Sequence, residues 1–345
     1  MIMRLMPALF GALGLLVLPA AIPPARAASF DCAAAATPLE VAICDNDALS
    51  RSDEVLAKAY ATALGGLSDV ARAEVQRGQR DWLRFVALSC TDDAQPVTEA
   101  YDDDQVSCLD NGFRNRIGDL ELSRMQQGWR FYPVSRFAVL DDPDEEEWWG
   151  TVATKQMLSP RIDDDLPAAL AFNALMDAVD GAEGGPFTLS GELRDDDVSS
   201  DIQIATTVEA VTSNRIGLEV LNYWMGHGAA HGNYAITSRH FLLDAERWLE
   251  PADLFVGDDW QAVLGELVLA ELDRTIEGGI WPESRDGVAE SVGDPERWGF
   301  DDDGLVVRFQ PYEVTAYAFG APTVTIGWSA LADHLSEDYQ SRLLY

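Results

Sequence analysis

Cys32-Ala33-Ala34-Ala35-Ala36-Thr37-Pro38-Leu39-Glu40-Val41-Ala42-Ile43-Cys44 is the stretch that decides the fold of the first domain. Thr37 has the chemistry of an N-cap, Pro38 fits the first helical position, and Glu40 stands where a capping box places its acid. A short helix is expected to begin at Pro38 and end near Cys44. Two further cysteines, Cys90 and Cys108, follow, and none occurs after them. Four cysteines allow three pairings. Local bridges Cys32–Cys44 and Cys90–Cys108 are expected, each closing a short loop worth on the order of 3 kcal/mol in the chain-entropy model. No C-x-x-C spacing and no nearby histidine argue for a thiolate metal site.

Ahead of this stretch, Arg4 is followed by an apolar run from Leu5 to Ile22 and then by Ala25-Arg26-Ala27, the small-residue pattern of a signal-peptidase site. Pro7, Pro19, Pro23 and Pro24 oppose a retained membrane helix, and Cys32 lacks the context of a lipoprotein signal. Residues 1–27 are therefore expected to be a cleaved signal peptide, and the product soluble, periplasmic or secreted, where disulfides persist. No later apolar stretch is long enough to span a bilayer.

The chain carries 59 acidic and 24 basic residues, a net charge of −35. Nucleic acid and anionic membrane surfaces would be repelled, whereas a cationic protein would be attracted. Acidity also serves solubility, and the scarcity of lysine, limited to Lys58 and Lys155, fits that use.

From residue 28 to 128 the apolar residues recur at helical spacing. Leu49, Leu56, Tyr60 and Leu64 share one face of a helix over about 47–64, stopped by Gly65-Gly66. Ser68-Asp69 starts the next, with Gln79, Trp82, Leu83, Val86 and Cys90 inward. After the acidic Asp102-Asp103-Asp104, a last helix turns Leu109, Phe113, Ile117 and Leu120 inward. This reads as a small disulfide-bonded all-α domain.

From 129 to 345 the pattern becomes mixed. Strands are expected over 131–140, over the alternating Ile202 to Val208 and Ile216 to Val220, over 234–243, 305–309 and 324–328. Helices are expected over 166–180 and 258–276. The domain reads as α+β, an antiparallel sheet packed against two helices.

His227 and His231 lie in Met-Gly-His-Gly-Ala-Ala-His-Gly, with His240 beyond. A zinc site is the sharp reading, but the glycines oppose a helix that would align the pair, and no glutamate lies between them to act as a base. Structural histidines are expected. Asp301-Asp302-Asp303-Gly304 reads as a turn, because the distal glutamate of a calcium loop is missing. No G-x-S-x-G elbow and no phosphate loop appear, so no catalytic or cofactor-binding residue is assigned. Trp148 and Trp149 follow the acidic run 141–147, and aromatics beside carboxylates suit a contact with a basic partner. Asp102, Asp103 and Asp104 join them as expected partner-binding residues.

Two resemblances rest on these residues. Phe30-Asp31-Cys32, Thr37-Pro38-Leu39-Glu40, Ile43-Cys44, Tyr60, Gln79-Arg80-Asp81-Trp82-Leu83, Cys90, Cys108 and Arg116-Ile117 resemble the N-terminal domain of the LprI-type lysozyme inhibitors, a secreted helical module. The lipidation cysteine of the namesake is missing. The second half is similar to the extracellular domain of the RsiV anti-sigma factor, also found beside peptidoglycan deacetylase domains. Gly228-Ala229-Ala230-His231-Gly232, Phe241-Leu242-Leu243-Asp244, Pro251-Ala252-Asp253-Leu254-Phe255, Phe309-Gln310-Pro311-Tyr312-Glu313-Val314-Thr315-Ala316-Tyr317-Ala318 and Val324-Thr325-Ile326 carry that likeness.

In the anti-sigma factor that domain binds lysozyme; its membrane signalling is not carried over, since this chain shows neither a membrane helix nor a sigma-binding segment. The two likenesses together imply a non-enzymatic protein that binds and inhibits a cationic lysozyme-type muramidase. The alternative is a peptidoglycan-associated accessory protein or enzyme of the cell envelope.

Overall fold

The computed structural model describes residues 28–141, 152–182, 185–188, 190–194 and 196–344. The expected leader over 1–27 and the pair Trp148-Trp149 lie outside the described residues.

The helical region is assembled by its caps. Helix α1 (Pro38–Asp45) carries the full capping box: Glu40 N donates to Thr37 Oγ1 at 3.2 Å, and Thr37 N donates to Glu40 Oε2 at 2.9 Å. The backbone N–H of Ala36 first, then that of Thr37, both donating to Glu40 Oε2, draw the Glu40 carboxyl below its ordinary range. The Cys32–Cys44 disulfide ties the preceding turn to the end of α1. Asn46 caps α2 (Asp47–Ala63), Ser68 caps α3 (Asp69–Ser89), and Asp102 with Gln105 makes a second capping box on α4 (Asp103–Leu120). Leu49, Leu56, Val75, Trp82, Val86, Leu109 and Phe113 form the core between them, with Trp82 edge-on to Phe113 at 5.1 Å. Leu83 differs from expectation: it is 42 % exposed, because the 100° step from Trp82 swings it to the outer rim.

A seven-stranded sheet follows in sequence order: β1 (Met125–Gln126), β2 (Trp129–Asp141), β3 (Val152–Ile162), β4 (Ser200–Val211), β5 (Arg215–Gly226), β6 (Asn233–Leu242) and β7 (Arg247–Trp248). Its pairs are antiparallel except β3 with β4, which run parallel because α5 (Pro167–Asp180) crosses between them. Helix α5 covers one face through Phe172, which meets Phe131, Phe241 and Trp248 edge-on.

The other face of β2 belongs to the helical region, whose core takes in Tyr132, Phe137 and Val139. Helix α3 comes close at Gly78, where a Cβ would sit in van der Waals contact with Ser135 and Arg116. The two regions are thus packed together, not strung on a linker. At the far end, α6 (Pro251–Leu254), α7 (Trp260–Thr275) and α8 (Arg285–Ser291) pack with a three-stranded antiparallel sheet of β8 (Trp298–Phe300), β9 (Gly304–Arg308) and β10 (Thr323–Gly327). Asp301 accepts from the backbone of Asp303 and Gly304, making the acidic triplet the β8–β9 turn.

Strand β3 was not expected from sequence, because its buried positions include Lys155, Ser159 and Arg161. Their partners explain the departure. Arg161 meets Asp177 and Asp180 of α5 at 2.7 and 2.6 Å, Ser159 donates to Asp180 at 2.5 Å, and the Lys155 ammonium donates to the Ser200 carbonyl at 3.0 Å. Buried polar groups so satisfied do not disrupt a strand.

Candidate functional site

The Cys90–Cys108 disulfide joins the end of α3 to α4 and constrains the loop between them. Tyr101 closes that loop onto α3 by donating its hydroxyl to the Ala87 carbonyl at 2.9 Å, and burial raises its phenol above the ordinary range. Between loop and helices lies an apolar groove of about 500 Å³, whose walls include Pro38, Leu39, Leu83, Pro96, Val97 and Tyr101. Asp92, Asp93, Glu99, Asp102, Asp103 and Asp104 are carried by the same loop and the helix start that follows it. The groove itself is apolar apart from Thr37 and Arg84, and the acids stand on the neighbouring loop and helix start, so an apolar contact and a long-range attraction for a basic surface lie in one region of the chain.

Of the expected contact residues, Asp102 serves first as the α4 cap, accepting from Gln105 N at 2.9 Å, while Asp103 and Asp104 are exposed in the first turn and favoured by the helix dipole. The floor was missed in sequence. Its signal was the apolar pair Pro96-Val97 inside an otherwise polar loop, together with the displaced Leu83.

The three histidines are held by separate partners. His240 is buried, its Nε2 donating to the Trp298 carbonyl at 2.7 Å and its Nδ1 facing Arg215 Nη1 at 3.1 Å. Burial first, then the Arg215 charge, lowers its pKa to about 3, so it is neutral in the native protein. His227 lies 3.8 Å from the Asp201 carboxylate. His231 stacks on Tyr317 with ring centres 4.3 Å apart and donates from Nδ1 to the Gly232 carbonyl at 2.8 Å. Among the described residues no group of three or more His, Cys, Asp or Glu side chains is arranged to hold a metal ion. Tyr234, Tyr312 and Tyr317 gather around His231, and burial followed by the neighbouring phenols raises the Tyr317 hydroxyl.

The protein thus belongs to the class of disulfide-bonded helical modules joined to an α+β domain. Residues 32–120 match the family model described as Lysozyme inhibitor LprI, and residues 252–329 match Protein of unknown function (DUF3298). No curated protein matches the chain. A DUF3298 family member from Bacteroides fragilis NCTC 9343 is similar over 61% of this chain and 94% of its own, at 19% identity and a TM-score of 0.45. A second, from Pseudomonas aeruginosa PAO1, is similar over 63% and 98%, at 13% identity and a TM-score of 0.35. At these scores neither likeness bears on function.

Proposed function

We propose that this is an exported protein that binds and inhibits a cationic lysozyme-type muramidase. The single observation that carries the reading is the match of residues 32–120 to a lysozyme-inhibitor family. The apolar groove lies inside that match, beside the acid-rich loop 91–104, and offers a contact surface. Two disulfides support passage through an oxidising compartment, in keeping with a leader removed after residue 27.

In this reading the −35 net charge draws the basic enzyme in, and Leu83, Val97 and Tyr101 then bury apolar surface against it. The domain over 129–345 acts as a second, RsiV-like lysozyme-binding module, and Trp148 and Trp149 extend the contact. Inhibition assays with a basic lysozyme test the proposal. Stoichiometric inhibition that weakens steeply with salt is expected, and full enzyme activity at saturating protein in dilute buffer would remove it.

A further inference from the structure

Outside the groove, four carboxamide side chains converge on one cleft of about 390 Å³ between α4 and the sheet: Asn111 and Asn115 from the helix, Gln156 and Gln203 from β3 and β4. None has a hydrogen-bond partner among the described residues. Their convergence follows from register. Asn111 and Asn115 are one helical turn apart, and Gln156 stands directly beside Gln203 in the parallel pair. The same cross-strand row continues to Tyr223 on β5 and Tyr234 on β6. Directly paired residues share a face, so amides and phenols form one file across the sheet, spanning three inter-strand spacings or roughly 14 Å. Gly232 keeps this file in place, since a Cβ there would fall 2.2 Å from the Tyr223 hydroxyl.

We infer that this file binds an uncharged oligosaccharide of N-acetylated amino sugars. Each carboxamide offers both a donor and an acceptor, which is what an acetamido group and ring hydroxyls require, and the tyrosines add ring faces with polar tips. The one charged pair lining the cleft, Arg116 with Asp119 at 3.4 Å, is internally balanced, so a neutral ligand suits it. The charge of the chain disfavours polyanions.

An extended peptide fits less well, because the β6 edge it would pair with is already filled. Gln310 accepts from Ile236 N and donates to Ile236 O, both at 2.8 Å. This inference does not rest on the proposed muramidase contact, whose groove at Leu83, Val97 and Tyr101 lies outside the file.

The test is calorimetric titration of the full chain, without any muramidase, using the β-1,4-linked tetramer of N-acetylglucosamine, the matching glucose tetramer and a neutral acetylated tetrapeptide. Saturable binding of the acetylated sugar alone is expected. It should weaken at least tenfold in Asn115→Leu, an exposed helix position, and in Gln156→Leu/Gln203→Leu of unchanged thermal midpoint. Absence of sugar binding up to millimolar concentration would overturn the inference. Equal binding of the glucose tetramer, preference for the peptide, or unaltered affinity in Asn115→Leu would do the same.

Discussion

His240 gives the sharpest physical prediction. Its ring is buried, donates to Trp298 O and faces the guanidinium of Arg215, so protonation in the native state would set two cations 3.1 Å apart away from solvent. The folded pKa is about 3, whereas the group's ordinary value is 6.5. Below pH 6.5 the unfolded chain takes up a proton that the native chain refuses. The unfolded state then binds more protons, and stability falls as pH drops from 6.5 towards 3.

At 1.36 kcal/mol per unit, this one residue costs about 2 kcal/mol between pH 7 and pH 5. His240→Gln retains an N–H for the Trp298 carbonyl but has no proton to gain. Urea unfolding of both proteins at fixed ionic strength isolates the effect from that of the carboxylates. The stability gap between native sequence and variant should shift by about 2 kcal/mol in the variant's favour from pH 7 to pH 5. Parallel stability curves would refute the argument.

Removing the second disulfide with Cys90→Ser/Cys108→Ser releases an 18-residue separation and should cost about 3 kcal/mol; an unchanged urea midpoint would contradict the role given to that bridge. Phe172→Ala empties the contact of α5 with Phe131, Phe241 and Trp248; a loss of about 3–5 kcal/mol is expected in thermal unfolding, and a loss under 1 kcal/mol would show that α5 does not anchor the sheet. Leu83→Glu changes an exposed groove residue; muramidase inhibition should drop at least tenfold with no change in the thermal midpoint, and undiminished inhibition would move the contact elsewhere.

The elements legible in sequence are those whose cause is local. Thr37-Pro38 with Glu40 and Ser68-Asp69 mark helix starts by a side chain reaching its own first turn, and the apolar faces of Leu49 to Leu64 and Leu109 to Leu120 place the other two helices, whose caps Asn46 and Asp102 were not read. Gly181 ended α5 where expected. What stayed hidden depended on distant partners. Strand β3 reads as polar until Asp177 and Asp180 arrive from α5 to meet Arg161 and Ser159. Trp298, fully buried against Phe255 and Trp260, has no local pattern to announce it. The candidate groove was half legible: its acids stand out as a run, while its floor needs the disulfide to fold Pro96 and Val97 back over Leu83. The amide file was invisible, because only the parallel register brings Gln156 beside Gln203.

The proposed capture of a basic wall-degrading enzyme by an acidic disulfide-bonded module rests on charge. Its most direct test is the inhibition constant for a cationic lysozyme measured across a salt series. Tight one-to-one inhibition in dilute buffer, weakening by orders of magnitude as the Debye length shrinks from about 30 Å to about 8 Å, is predicted. Absence of inhibition at low salt, or an inhibition constant indifferent to salt, would contradict it.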